Sequence, residues 1–284
     1  AMIPFYKQAQ KIGIKAILGC EIYVSVKKHT DKTLITTPSG KKWGYHHLVL
    51  LAQDQTGYKN LMKLCSIGYL EGFYYRPRVD KELLIKYNKG LIATSACLAG
   101  EVTSYAALGD YEKAKKAALE FQEIFPNRFY LELQNHDIPE EKKAHIILKK
   151  LSKELNIPLV ATNDCHYCLE SHSEAHDALF CLGTGKDIYD KNRLRYEPGK
   201  FYVKSVDEMY QIFSDTPQAL ENTVKIAEQC NVNIPLGEYH LPAYPVENNS
   251  SPDKYLKKLC DSGLKLRYKN INSTIKRRLS HELE

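Results

Sequence analysis

The sequence predicts an α/β fold with largely buried strands, and three observations carry that expectation. Short β-branched runs alternate with longer stretches of helical periodicity. Of the 284 residues, 43% are hydrophobic, enough for a sizeable core. Residues with metal-ligating side chains fall inside or just beyond successive strands. Strand, helix, strand in repetition favours parallel pairing, because a parallel pair needs a crossover and a helix is the usual one.

In chain order, residues 3–12 read as a helix that leads into a first strand at 15–24. A second strand at 46–52 is followed by a helix at 55–69, and a third strand at 90–95 by an Ala- and Lys-rich helix at 110–125. The fourth strand is expected at 129–133, a helix at 139–155 and the fifth strand at 158–162. After Cys181 come a loop rich in Gly, Asp and Arg at 182–199, a short strand at 201–203 and helices near 206–213 and 217–230. Pro235, Gly237, Pro242 and Pro245, with residues 248–251 close behind, mark a linker and place a domain boundary near residue 238. Residues 252–268 and 273–284 read as two more helices, and there is no internal repeat. A barrel would need strands ahead of the opening helix. The expectation is therefore an N-terminally truncated fold with exposed strand edges and a tendency to associate.

Composition excludes a disordered chain. The eight cysteines are spread irregularly without a preceding charged-then-apolar segment, which reads as reduced thiols in a cytoplasmic protein. The longest apolar runs, such as residues 48–52, are far too short to cross a bilayer, so no membrane role is implied. Of the net charge of +6, residues 253–284 supply +5, nine Lys or Arg less four Asp or Glu. Such a tail suits contact with a phosphate backbone, or is simply the solvated face of an amphipathic helix. Lys276, Arg277 and Arg278 are its densest cluster. Arg76 and Arg78, interleaved with aromatic residues in YLEGFYYRPRVD, form a second candidate nucleic-acid contact, with loop packing as the plainer alternative.

The candidate metal ligands are Glu21, His47, Cys97, Asp164 and His166. They lie in or after four separate strands, whose carboxyl ends would converge on one face in a parallel α/β fold. Carboxylate, imidazole and thiolate together suit Zn²⁺, and carboxylate with imidazole also suits Mn²⁺ or Fe²⁺. Taken singly each has a plainer reading: a hydrogen-bonded His, a buried Cys filling space, a carboxylate that needs a partner only if it is buried. Asp164 and His166 are alternate residues of an extended segment and would project the same way. The pair Cys165 and Cys168 has no second CxxC, and a zinc ribbon or redox motif is disfavoured. No phosphate-binding glycine loop, GxSxG elbow or HExxH helix occurs.

Taken together, GCEIYV (residues 19–24), HHLVLLAQDQTGYKNLMKL (46–64), YLEGFYYRPRVD, GLIATSACLAGEV (90–102), LELQNH (131–136) and ATNDCHY (161–167) resemble the bacterial DNA polymerase III alpha-subunit family. The resemblance lies in its polymerase-and-histidinol-phosphatase (PHP) domain and continues through FYVKSVDEM, ENTVKIAEQCNVNIPL and RRLSHELE. It implies a distorted (β/α)7 barrel over residues 1–238, then at 239–284 a linker and helical lead-in to a polymerase palm. It further implies a divalent metal cluster, Zn or Mn, that hydrolyses phosphodiesters, including 3′ ends in the manner of a 3′–5′ exonuclease. The five ligand positions carry over, with His47 rather than His46 matching the family's HL dipeptide. The family's HxH motif, a following Asp and a DHG histidine would all precede this chain. Glu21, His47 and Cys97 are then expected to hold one ion. DNA synthesis itself would need Mg²⁺ on an acidic triad in the palm, absent from this chain. The implied partners are DNA and other replisome subunits, such as a sliding clamp and a proofreading subunit. The alternatives are an inactive scaffold of the polymerase and, less well matched, a free-standing histidinol-phosphatase-like enzyme.

Overall fold

The structure, a computed structural model, describes residues 2–38, 44–238, 241–246 and 250–284. Asn248 and Asn249, expected in the linker, lie outside the described residues. The chain divides into two compact units, residues 1–233 and 234–284. The first unit closes five residues ahead of the expected boundary near 238, and Asn233 still belongs to it, accepting a hydrogen bond from the Tyr6 hydroxyl (3.1 Å).

The first unit is a mixed α/β fold. Its strands are β1 (Gly19–Ser25), β2 (Tyr45–Ala52), β3 (Phe73–Tyr74), β4 (Arg76–Val79), β5 (Leu91–Thr94), β6 (Phe129–Gln134) and β7 (Leu159–Thr162). Its helices are α1 (Met2–Lys11), α2 (Gln55–Leu70), α3 (Lys81–Tyr87), α4 (Glu101–Ala107), α5 (Tyr111–Ile124), α6 (Pro139–Leu155), α7 (Ser173–Thr184), α8 (Val206–Ile212) and α9 (Pro217–Gln229). Among the described residues the seven strands form one sheet in the order β3-β4-β1-β2-β5-β6-β7.

The five expected strands are present, but not all are parallel. β2 runs antiparallel to both β1 and β5, whereas β5, β6 and β7 are mutually parallel. The reason is in the connections. No described helix separates β1 from β2, so the chain turns back beside itself, whereas α4 with α5 and then α6 supply the crossovers that β6 and β7 require. The short β3 and β4 were not foreseen, since two and four residues around Tyr75 and Pro77 show no periodicity. The helix α7 is unforeseen and runs three residues into the loop expected at 182–199, and the expected strand at 201–203 is reduced to one bridge between Tyr167 and Tyr202.

Alternation along the strands separates two faces. Ile22, Val24, Leu48, Leu50, Ala93, Leu131 and Leu133 point into the main core, which α2, α4, α5 and α6 cover with residues such as Leu64, Val102, Phe121 and Leu148. On the opposite face Ile92, Tyr130 and Val160, with Ile17 and Leu51 beside them, meet Ile226 and Cys230 in a second, smaller core under the end of α9. Asp54 and Asp80 cap α2 and α3 by accepting the Gly57 and Leu83 backbone N–H groups (2.8 and 2.9 Å), which sets where both helices start.

Asp80 also accepts the backbone N–H of His29 (2.9 Å) and meets its ring at 2.5 Å. Burial, the largest influence, pushes its carboxyl up, but the bonds from His29 and Leu83 outweigh it and hold the group below its ordinary value. Stability from Asp80 is then complete above the ordinary carboxylate range and is lost as pH falls through the lowered value. Urea unfolding between about pH 7 and pH 3 should show a shallower acid limb for Asp80→Asn than for the parent chain. Equal slopes would mean that Asp80 does not carry it.

The second unit holds α10 (Pro252–Arg267) and α11 (Ser273–Leu283), capped by Ser251 and Asn272, with no fully buried residue in either helix. Among the described residues, no helix is long and apolar enough to cross a membrane.

Candidate metal centre

The ligand-bearing face is the one that α9 covers at its lower end. Glu21 pairs with Val49 and Tyr23 with His47 across β1 and β2, so Glu21 and His47 are diagonal neighbours on one face. His47 stands near the amino end of β2, not at a carboxyl end as the parallel reading expected. Because β2 is antiparallel, that end lies beside the carboxyl ends of β1 and β5, and the convergence survives for a different reason.

Cys97 arrives through a backbone turn. The segment after β5 folds back so that His47 N–H donates to Ala99 O (3.0 Å) and Gly100 N–H to Cys97 O (2.8 Å). A Cβ on Gly100 would stand 1.9 Å from the Ser95 carbonyl oxygen, so only glycine lets the turn close. Gly100→Ala is expected to cost about 1–3 kcal/mol through overpacking against backbone and to move Cys97 away from His47. A thermal melt and the thiol's cadmium-binding absorption check both halves, and an unchanged pair of readings would refute the role given to the turn.

Glu21 Oε1 lies 2.9 Å from His47 Nδ1, and Cys97 Sγ lies 3.6 Å from the same nitrogen. One ligand atom from each residue falls within 4.8 Å of the others. A tetrahedral zinc with ordinary bond lengths separates its ligands by about 3.3–3.8 Å, so oxygen, nitrogen and sulfur need only small shifts to share an ion. Electrostatics favour the same conclusion. Burial pushes the Cys97 thiol up to about 12, and the carboxylates of Glu21, Asp164 and Glu132 add to it against the Ala99 amide. A divalent cation reverses this logic by stabilising the thiolate and neutralising the surrounding carboxylates. The donor set fits a divalent metal.

Asp164 and His166 follow β7 as a separate pair, Oδ1 to Nε2 3.6 Å. Burial, the largest influence, pushes the Asp164 carboxyl up, yet the His166 hydrogen bond and the charges of His166, His136 and His47 outweigh it and hold the group below its ordinary range. The structure thus brings Glu21, His47 and Cys97 into one ligand group and places Asp164 with His166 close enough to act on it electrostatically. His46 points the other way. It is 3% exposed, burial holds its imidazole below the ordinary value, and its ring packs 6.3 Å from that of Tyr105.

Sequence reasoning missed a polar layer beneath the ligands. Glu132 is 4% exposed on β6 and accepts from the Thr94 and Thr162 hydroxyls on the flanking strands and from Gln134 Nε2. Burial raises its carboxyl against these three donors. The signal was present: polar residues at alternate positions of an otherwise apolar strand cannot face its core side. Beside His166, Tyr167, His176, Arg195 and Tyr196 line a cleft of about 140 Å³, with the Tyr196 ring 4.4 Å from that of His166.

The candidate nucleic-acid residues divide. Arg78 is 1% exposed, and its guanidinium donates to the carbonyls of Gly72 (3.3 Å), His29 (3.1 Å) and Asp31 (2.7 Å), so it ties loops together rather than facing a phosphate. Arg76 is exposed, and its charge reaches the Tyr23 hydroxyl beside His47. Lys276, Arg277 and Arg278 are exposed on α11, with Arg278 paired to Glu282. Cys165 and Cys168 are exposed and unpaired.

A mixed α/β sheet that brings Glu, His and Cys ligand atoms together beside the carboxyl ends of β1 and β5 defines a metal-binding type of α/β domain. Residues 1–136 match the family model described as the PHP domain. The chain is similar to the DNA polymerase III subunit alpha of Borreliella burgdorferi, 48% identical over 284 residues, which cover 99% of this chain and 24% of that protein. The same-named protein of Treponema pallidum is 42% identical over 282 residues (99% and 24%), and that of Thermus aquaticus 37% over 272 (94% and 22%). The chain spans about a quarter of the length of these curated relatives.

Proposed function

We propose that this chain is the PHP portion of a replicative DNA polymerase alpha subunit, and that its Glu21, His47 and Cys97 group serves phosphodiester hydrolysis on DNA. The observation that carries the proposal is the convergence of those three ligand atoms within 4.8 Å, from two strands and a glycine-dependent turn. The reading assigns zinc or manganese to the site, the soft thiolate favouring zinc. When bound, the ion supplies Lewis-acid polarisation of a phosphoryl group and of water.

The chain's own residues contribute the rest. Asp164 is a half-buried anion beside His166, suited to hold a proton donor or a second cation close to the scissile bond. Arg76 lies within electrostatic reach of Tyr23 and offers a cation to a phosphate. The aromatic cleft beside His166 offers ring faces on which a base can stack. The exposed Lys276, Arg277 and Arg278 would add sequence-independent attraction to the DNA backbone. Copying of DNA, with Mg²⁺ at an acidic triad, and association with a sliding clamp or proofreading subunit in the cytoplasm are proposed for the whole protein of which the relatives are examples.

Elemental analysis of the purified chain, with hydrolysis of a mismatched 3′ end assayed alongside, tests the reading. Near-stoichiometric zinc or manganese in the parent chain and its loss in Cys97→Ser are expected. A metal-free parent chain that cannot be loaded by added zinc or manganese would leave the site without its proposed function.

A further inference from the structure

We propose that His136 is a positioning residue, which pins the 163–166 segment so that Asp164 and His166 are held toward one ion. The inference rests on the reading of Asp164 and His166 as metal ligands. His136 follows β6 and is 2% exposed. Its backbone N–H donates to Glu141 Oε2 (2.7 Å), its Nδ1 lies 2.7 Å from Glu141 Oε1, and its Nε2 lies 3.2 Å from the Asn163 carbonyl oxygen. Both ring nitrogens are engaged, Nε2 against the Asn163 carbonyl and Nδ1 against the Glu141 carboxylate. Neither nitrogen is left over for a metal.

The contacts around Asn163 explain what this bond achieves. Asn163 Nδ2 donates to Tyr202 O (3.0 Å), and its Oδ1 accepts from Lys204 Nζ (3.0 Å). Asp164 follows with φ +41°, a conformation that a residue bearing a Cβ adopts at a cost and leaves unless its neighbours prevent it. Beyond it, Phe201 O accepts the N–H groups of His166 (2.8 Å) and Tyr167 (3.2 Å). The Phe201 ring stacks on His136, centroids 4.0 Å apart at 12°, and meets the His166 ring edge-on at 5.6 Å. One buried imidazole therefore fixes the carbonyl before Asp164 and the aromatic platform under His166. Partners behind metal ligands act in this way, and losing one weakens metal affinity by roughly 10–100-fold.

The test uses the chain as it stands with His136→Phe, which keeps a ring against Phe201 and removes both ring hydrogen bonds. Manganese affinity is measured by calorimetry, cadmium binding at Cys97 by the part of the ultraviolet thiolate absorption that Cys97→Ser removes, and amide exchange at His166 and Tyr167 by NMR. His136→Phe should weaken manganese binding about 10–100-fold, speed exchange at both amides, and leave the cadmium titration and the amides of β1 and β2 unchanged. Glu141→Gln should move the same readings in the same direction by less. A general loss of structure would shift manganese, cadmium and all amides together, and that result overturns the inference. Asp164→Ala separates the layers: if it leaves manganese affinity unaltered, the ligand reading fails and the inference falls with it. If Asp164→Ala weakens binding while His136→Phe does not, only the role of His136 is refuted.

Discussion

His47→Ala is expected to lower affinity for zinc by more than about 100-fold, because it removes a direct ligand where loss of an outer partner alone costs roughly 10–100-fold. His47 is the shared member of the group, lying 2.9 Å from Glu21 Oε1 and 3.6 Å from Cys97 Sγ, so the one remaining pair, Glu21 and Cys97, is not bridged without it. The fold should largely persist, since the ring's other contacts are the neighbouring rings of Tyr23 and Tyr45 on the same face. His46→Ala is the matching control. That ring is buried against the α4 side, and its loss should cost about 2 kcal/mol of stability while zinc binding stays intact. Competition with a chromophoric chelator, together with urea unfolding, reads both variants. Reversed outcomes would mean that the wrong member of the dipeptide has been assigned to the metal.

Arg78→Met is expected to destabilise the first unit by about 3 kcal/mol, through backbone carbonyls left without a donor. The Gly72, His29 and Asp31 carbonyls all accept from this guanidinium, which joins the segment after α2 to the loop after β1. Arg78→Lys should recover only part of the loss, because an ammonium cannot span acceptors as a planar fork does. Calorimetric melting should show a fall of roughly 6–12 °C for Met in a unit of this size. A variant that melts like the parent but binds DNA more weakly would return Arg78 to the role first expected of it.

The two arginines of YLEGFYYRPRVD show where legibility stops. From sequence they were equivalent, both beside Pro77 in one segment rich in aromatic residues. Only the pairing of β4 with β1 and the return of residues 29–31 make one a buried strut and leave the other in solvent. Long-range carbonyls leave no local trace, so charge patterning cannot distinguish a satisfied buried cation from a free one. The helix α7 was lost for a related reason: Cys181 is its one fully buried residue, so its apolar positions mark no core-facing stripe.

The amino-acid sequence by itself determined the five principal strands, most of the helices and the residue types of the metal centre. Those properties follow from local periodicity, capping residues and donor chemistry, which a linear chain displays directly. Tertiary structure alone decided that β2 runs antiparallel and that Glu21, His47 and Cys97 form one group while Asp164 and His166 stand apart as a pair. It also decided that His136 lies buried behind them. Each of these depends on which strand lies beside which and on which backbone carbonyl a distant side chain meets. Such contacts join residues far apart in the chain, and they exist only once the sheet has closed over its two cores.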